Sequence, residues 1–249
     1  MQILAVIPAR YASTRFPGKP LAEIAGKPMV RHVYERCRSA LGVSRVIVAT
    51  EDDRIVHACK AFGGEAELTS PEHVSGTDRV AEVAARHPEF DGILNVQGDE
   101  PGIEPETVQA VALLLSNPDV QIASAMTRFL KHEPVGNPNA VKVVTDARGD
   151  ALYFSRAPIP YFRDPTAQNP MHFRHLGIYG FSREVLLKLT KLAPSQLERA
   201  ESLEQLRWLE AGYRLRLVEV QSRSAGIDTP ADLDLYVKTS ATDKSSIIP

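Results

Sequence analysis

Short, wholly apolar runs alternate with amphipathic stretches along this chain, and that alternation limits its fold more than any other feature. Ile3 to Ile7 reads as a buried strand, which Pro8 is expected to end because proline cannot donate to a sheet ladder. Met29, Val30, Val33, Tyr34, Cys37, Ala40 and Leu41 recur at the spacing of one helix face. Arg45 to Thr50 is a second buried strand. Ile55, Val56, Cys59 and Phe62 mark a second helix closed by Gly63-Gly64, and Ala66 to Thr69 a third strand. Strands joined by helices run parallel through right-handed crossovers, so the chain is expected to be α/β, doubly wound, with a mainly parallel mixed sheet.

The same reading continues with a helix opening at Thr77, whose hydroxyl suits an N-cap, a strand from Ile93 to Val96, a helix from Pro105 to Ser116 and a strand near Ile122. Periodicity then loosens. Prolines and short strand candidates at Val141 to Val144 and Leu152 to Phe154 point to a smaller inserted lobe at about 127–181 within one domain of 1–238. Leu176 to Phe181 returns as strand and Ser182 to Leu192 as helix. Ser195 and Glu198 form a capping box for a helix running through Ala211, and Leu215 to Val220 is another strand. Residues 239–249 carry no pattern and are expected to be disordered.

The loop after the first strand carries Arg10, Arg15 and Lys19 with no acid before Glu23. Ligands of open α/β sheets bind at the carboxyl ends of strands, and guanidinium forks with an ammonium point charge suit phosphate oxygens. The loop is neither a Walker A sequence nor a Gly-x-Gly-x-x-Gly fingerprint, which removes the main support for kinase and dehydrogenase readings. Asp99 leaves the carboxyl end of the Ile93 strand and so enters the same crevice. A carboxylate among triphosphate-binding cations repels the nucleotide unless Mg²⁺ stands between them. Glu100, one residue on, is left unassigned. Near the other end of the chain, Thr229, Pro230 and Asp232 suffice to cap a helix, which leaves Asp228 free to bind; brought beside Asp99, it would complete a two-Asp magnesium site.

From Ser155 to His175, Arg156, Arg163, His172, Arg174 and His175 face a single acid, Asp164, a balance suited to a second anionic ligand. For Arg163 and His172 a solvated loop is the better reading. Glu204 and Gln205 read as surface residues on general burial statistics. A formal charge of -2 over 249 residues gives no basic field for nucleic acid. No run reaches membrane length, so neither a signal peptide nor a membrane partner is expected. Cys37 and Cys59 fall on apolar helix faces and read as reduced core thiols, which favours the cytoplasm.

The run Ile7-Pro8-Ala9-Arg10-Tyr11-Ala12-Ser13-Thr14-Arg15 with Pro17-Gly18-Lys19-Pro20-Leu21 resembles the signature of bacterial nucleotidyltransferases that load acidic sugars with cytidine monophosphate. Further blocks continue the resemblance in order: Ser75-Gly76-Thr77-Asp78-Arg79, Asn95 to Pro101, Asn137 to Lys142, Arg174 to Gly180 and Asp228-Thr229-Pro230. It is strongest to the cytidylyltransferases of 3-deoxy-manno-octulosonate (Kdo). It implies a nucleotide-diphospho-sugar transferase-like fold, CTP and Kdo as substrates, Mg²⁺ on Asp99 and Asp228, and a homodimer formed through the lobe, serving lipopolysaccharide biosynthesis. Pro8, Ala9, Arg10, Arg15, Lys19, Ser75 and Arg79 would bind the nucleotide, with Ser75 and Arg79 near the cytosine and phosphates. Gln97, Arg156, His175, Glu204 and Gln205 would bind the sugar, and Arg10, Lys19, Asp99 and Asp228 would act in catalysis. The rivals are enzymes for 8-amino-Kdo, sialate or another acidic sugar, a uridylyl enzyme and, from another class, a nucleotide-sugar-dependent glycosyltransferase, whose usual Asp-x-Asp is absent at Asp99-Glu100-Pro101.

Overall fold

The chain opens with β1 (Ile3–Ala9), followed by a single 3-10 turn (Lys19–Leu21) and a small hairpin of β2 (Glu23–Ile24) and β3 (Lys27–Pro28). Next come α1 (Met29–Ser39), β4 (Arg45–Thr50), α2 (Asp53–Ala61), β5 (Ala66–Leu68), α3 (Gly76–Arg86), β6 (Gly92–Asn95) and α4 (Pro105–Leu115). The second half adds β7 (Ile122–Arg128), β8 (Lys142–Thr145), β9 (Ala151–Ser155), β10 (Phe173–Ser182), α5 (Arg183–Leu189), α6 (Gln196–Glu201), α7 (Gln205–Glu210), β11 (Leu215–Glu219) and α8 (Pro230–Asp243). The structure, a computed structural model, describes residues 1–130, 133–164, 171–224 and 226–243.

The central sheet runs in the order β11-β7-β10-β6-β1-β4-β5. β1 is parallel to β4 and β6, β4 to β5 and β11 to β7, while β10 runs antiparallel between β6 and β7. The doubly wound, mainly parallel mixed sheet is thus what the sequence predicts. Period-two alternation splits β1 between two cores. Ile3, Ala5, Ile7 and Ala9 pack with α1, α2 and α4 on one face, and Leu4 and Val6 pack with α3, α5 and α7 on the other.

Four expectations change. β1 does not stop at Pro8 but pairs with β4 through Ala9↔Thr50, whereas its pairing with β6 ends at Val6↔Asn95. Val6 O accepts from Val96 N on the β6 side. Pro8, two residues on, faces that same side beyond the last pair, where no donor is needed. Ser75, not Thr77, caps α3: its hydroxyl accepts from Asp78 N while the Asp78 carboxylate accepts from Ser75 N. The helix expected from Ser195 through Ala211 is broken into α6 and α7 at Ser202, which takes a left-handed φ of 51°. Just before the break, the Glu201 carboxylate is drawn out to Ser155 Oγ and the Arg156 amide, 2.6 and 2.9 Å away. Finally, α8 continues past Thr239, into the stretch expected to be patternless; residues 244–249 lie outside the described residues.

Within 127–181, β8 and β9 form a hairpin hung on β10, and β10 itself belongs to the central sheet. Cys37 and Cys59 are free and buried, as their helix faces predict, and burial pushes both thiols up to about 12. Among the described residues no helix is long and apolar enough to cross a membrane.

Candidate active site

After building β4 and β5 on one side of β1, the chain crosses to build β6 on the other, and the loops leaving β1 and β6 face each other across that switch point. They line a cleft of about 450 Å³. Pro8, Ala9, Arg10, Arg15 and Lys19 reach it from the first loop, and Gln97 and Asp99 from the second. The backbones nearly touch here. A Cβ on Gly98 would lie 2.9 Å from the Pro8 carbonyl oxygen, so only glycine fits. The first loop is pinned through Tyr11, whose amide donates to Glu51 Oε1 at 3.0 Å and whose ring lies 3.3 Å beneath the Arg54 guanidinium. Gly18, at φ 72°, packs against that ring and returns its amide to Tyr11 O at 2.9 Å.

The charged groups meet in pairs of opposite sign. Lys19 Nζ donates to Asp99 Oδ2 at 2.6 Å and to Ile227 O at 2.9 Å, and stands 3.5 Å from Asp228 Oδ1. Arg15 forks onto both Asp228 oxygens at 3.2 Å. Ile227 N donates to Asp99 O at 2.9 Å, which carries Asp228 to Asp99 although they lie far apart in the chain. The cap of α8 leaves Asp228 available, since Thr229 and Asp232 bond each other's backbone amides. Two carboxylates sharing one ammonium form a donor set that suits Mg²⁺, which binds through one or two carboxylates and fills its shell with water and phosphate oxygens. Among the described residues no group of three or more His, Cys, Asp or Glu side chains gathers as a closed metal cage.

Arg10 donates to the His73 carbonyl. Arg79 does not line the cleft: it is 1% exposed beneath the loop, paired with Glu51 Oε2 at 3.0 Å and bonded to Thr69 Oγ1. Burial lowers its pKa, and the Glu51 charge opposes that shift. Ser75 is spent on the α3 cap, while its neighbours Val74 and Gly76 line the cleft.

Apart from Gln97, which lines the cleft, the expected sugar ligands lie on the α3 and α7 side of the sheet. His175 is half-buried between the rings of Phe154 and Tyr179, 4.9 and 5.3 Å away, with Nε2 at 2.9 Å from Ser124 Oγ. Desolvation of the ring pushes its pKa down to about 3, which favours the neutral form. Glu204 Oε2 accepts from Thr77 Oγ1 at 2.6 Å; burial raises its pKa and the Thr77 bond opposes that rise. Gln205, expected at the surface from burial statistics, is 4% exposed. Arg156 gives its guanidinium to the carbonyls of Pro138, Glu201 and Ser202, stapling the β9 end to the α6–α7 break.

The sequence gives no role to Glu51 or Asn95 and leaves Glu100 unassigned. Asn95, a polar residue within the apolar run Ile93 to Val96 and 1% exposed, was the one with a signal. Glu100 accepts from Ser224 Oγ at 3.2 Å beneath Gly177; burial, with the Asp99 charge second, pushes its carboxyl up to about 7. A separate cleft of about 270 Å³ beside Tyr34, Arg38 and Glu65 holds none of the expected site residues.

A cytidylyltransferase family model matches residues 4–218. The chain is 52% identical over 248 residues to the 3-deoxy-manno-octulosonate cytidylyltransferase of Geobacter metallireducens, covering 96% of this chain and 97% of that protein. To the Myxococcus xanthus protein of the same description it is 50% identical over 231 residues, 93% of each chain. A solved CMP:2-keto-3-deoxy-manno-octonic acid synthetase complexed with CTP superposes with a TM-score of 0.91 at 44% identity, over 98% of this chain and 100% of that one.

Proposed function

The chain belongs to the 3-deoxy-manno-octulosonate cytidylyltransferase family, and from that premise we propose the reaction and the roles of its residues. It is a nucleotidyltransferase that converts CTP and Kdo to CMP-Kdo and diphosphate. The sugar's anomeric hydroxyl attacks the α-phosphorus in line, the α–β bridging bond breaks, and diphosphate leaves. No covalent protein intermediate is needed.

Lys19, Arg10 and Arg15 carry the triphosphate and stabilise the charge that grows on the leaving diphosphate. Asp99 and Asp228 would hold Mg²⁺, which when bound neutralises phosphate charge. The observation that carries this assignment is the Lys19 ammonium, 2.6 Å from Asp99 and 3.5 Å from Asp228, in a cleft walled by Arg10 and Arg15. In this reading the triphosphate takes over the cations and the metal takes over the carboxylates. Arg156, His175, Glu204, Gln205 and Gln97 serve the acceptor sugar. His175, whose pKa is pushed down, acts there as a hydrogen-bonding group rather than a charge. Ser75 and Arg79 act on the nucleotide from beneath, by shaping the α3 cap and the first loop.

We further place the reaction in the cytoplasm, in lipopolysaccharide biosynthesis, and expect a homodimer. The dimer reading draws on β9, which pairs with β8 alone among the described strands and exposes Leu152; light scattering of the purified chain tests it. Diphosphate release, measured with each of the four nucleoside triphosphates against Kdo, 8-amino-Kdo and sialate, tests the function. CTP with Kdo should give the highest kcat/KM. Preference for another sugar, or no release from CTP with Kdo, would overturn the reading.

A further inference from the structure

We propose that Thr77, backed by Asn95, is a positioning residue for the acceptor sugar, acting by holding the Glu204 carboxylate at a fixed angle. The proposal rests on the reading that Glu204 and Gln205 serve the sugar. Glu204 lies between the left-handed Ser202 and the first turn of α7, and its side chain makes no capping bond to that helix. Its own element does not orient it. The Thr77 hydroxyl is its stronger hydrogen-bond donor, at 2.6 Å, within the range of charge-assisted O–H···O⁻ bonds, with the Ser75 side chain a weaker second partner.

Thr77 has no other task for that hydroxyl, because Ser75 and Asp78 already complete the α3 cap. A hydroxyl owns one proton and two acceptor positions. Asn95 Nδ2 approaches Thr77 Oγ1 at 3.5 Å, which directs the hydroxyl proton away from Asn95 and toward Glu204. Asn95 Oδ1 in turn accepts from Gln97 Nε2 at 3.2 Å, and Gln97 lines the nucleotide cleft. A polar chain therefore runs from the cleft through Asn95 and Thr77 to Glu204. Thr77 and Asn95 are 3% and 1% exposed, so water does not compete for the Thr77 hydroxyl or the Asn95 amide. The acceptor side is thereby aligned to the wall of the nucleotide cleft through buried side chains on β6 and α3.

The test compares Thr77→Val, which keeps the shape and removes the donor, with Thr77→Ser, which keeps the donor. With Kdo varied at saturating CTP and Mg²⁺, Thr77→Val should raise the KM for Kdo about tenfold, as expected for one lost charge-assisted bond. The KM for CTP should stay within about twofold, and Thr77→Ser should restore most of the loss. Glu204→Gln and the double variant Thr77→Val/Glu204→Gln complete a cycle; if Thr77 acts through Glu204, the double variant should lose little beyond Glu204→Gln alone. Should Thr77→Val fold poorly by its thermal melt, Thr77→Ala is read against the same criteria. An unchanged KM for Kdo in Thr77→Val beside a raised one in Glu204→Gln overturns the positioning role and leaves the sugar reading standing. Equal losses for CTP and Kdo, or full additivity in the double variant, also overturn it. Wild-type Kdo kinetics in Glu204→Gln overturn the sugar reading, and this proposal with it.

Discussion

Lys19 is held by oxygens of Asp99, Ile227 and Asp228, so the two carboxylates are kept close by a cation that the chain itself provides. Removing a charge from this set should be felt in chemistry more than in folding. Asp99→Asn keeps the shape but weakens cation binding; turnover should fall at least ~10²-fold, a few kcal/mol of transition-state stabilisation. Steady-state assays across a Mg²⁺ titration check this, and full wild-type activity in EDTA would remove the metal from the account. His175 gives a separate prediction in pH. Its folded pKa falls from an ordinary 6.5 to about 3, so below 6.5 the unfolded chain binds more protons than the folded one. Stability of the ligand-free chain should therefore rise with pH between about 3 and 6.5. Glu100 opposes part of this, since its raised folded pKa of about 7 lets the folded state hold a proton that the unfolded state has released between 4.5 and 7. Urea melts of wild type and His175→Gln at several pH values separate the two. The variant should lose the acid-side slope that belongs to the imidazole; an unchanged slope would assign the acid sensitivity elsewhere.

At the scale of the element, α3 does two jobs with different residues. Its cap belongs to Ser75 and Asp78, while Thr77 reaches across to the segment before α7. Ser75→Ala should cost about 1 kcal/mol, typical of a lost N-cap, and lower the melting temperature by about 2 to 4 °C. Ser75→Asp, which can still cap, should recover most of that loss; a melting temperature unmoved by Ser75→Ala would show that Asp78 alone carries the helix start. The α6–α7 break is a second example of local signals yielding to distant ones. The capping box at Ser195 starts a helix as expected, yet the Glu201 carboxylate finds Ser155 and Arg156 at the end of β9, and the chain turns at Ser202. The turn lets Leu206 and Trp208 pack on the sheet, with the Trp208 ring 5.1 Å from Tyr179 and 5.3 Å from Phe181. A helix unbroken from Ser195 would point those side chains along a different line.

For the whole molecule, the cleft gathers residues from both ends of the sequence, so a nucleotide that bridges them should stabilise the fold as a unit. CTP at about 100 times its dissociation constant, with Mg²⁺, should add about 2.7 kcal/mol and raise the melting temperature by roughly 5 to 10 °C. EDTA should remove most of that shift, and an equal shift with UTP would argue against base selection in the folded state. Much of this architecture is legible in the sequence. Continuous apolar runs mark β1, β4 and β6, and period-3.6 spacing marks α1, within a few residues, because burial on both faces of a strand or one face of a helix is a local property. The basic loop and Asp99 are legible for a related reason: the carboxyl end of a parallel strand is a ligand position wherever the strand lies. Asp228 is legible by elimination, since Thr229 and Asp232 satisfy the cap without it. Other features depend on which distant groups become neighbours, and no local pattern encodes that. Pro8 stays in its strand because β6 has already parted from β1. Arg79 sinks beneath the loop because Glu51 waits there as a counter-charge. Gln205, polar and placed at the start of a short helix, is buried because Ser202 turns α7 onto the sheet. The sequence by itself determined the elements, their layering and the chemistry of the cleft; the tertiary structure alone decided how the cations and carboxylates pair and which carboxylate Thr77 orients, because each of those bonds joins residues far apart in the chain.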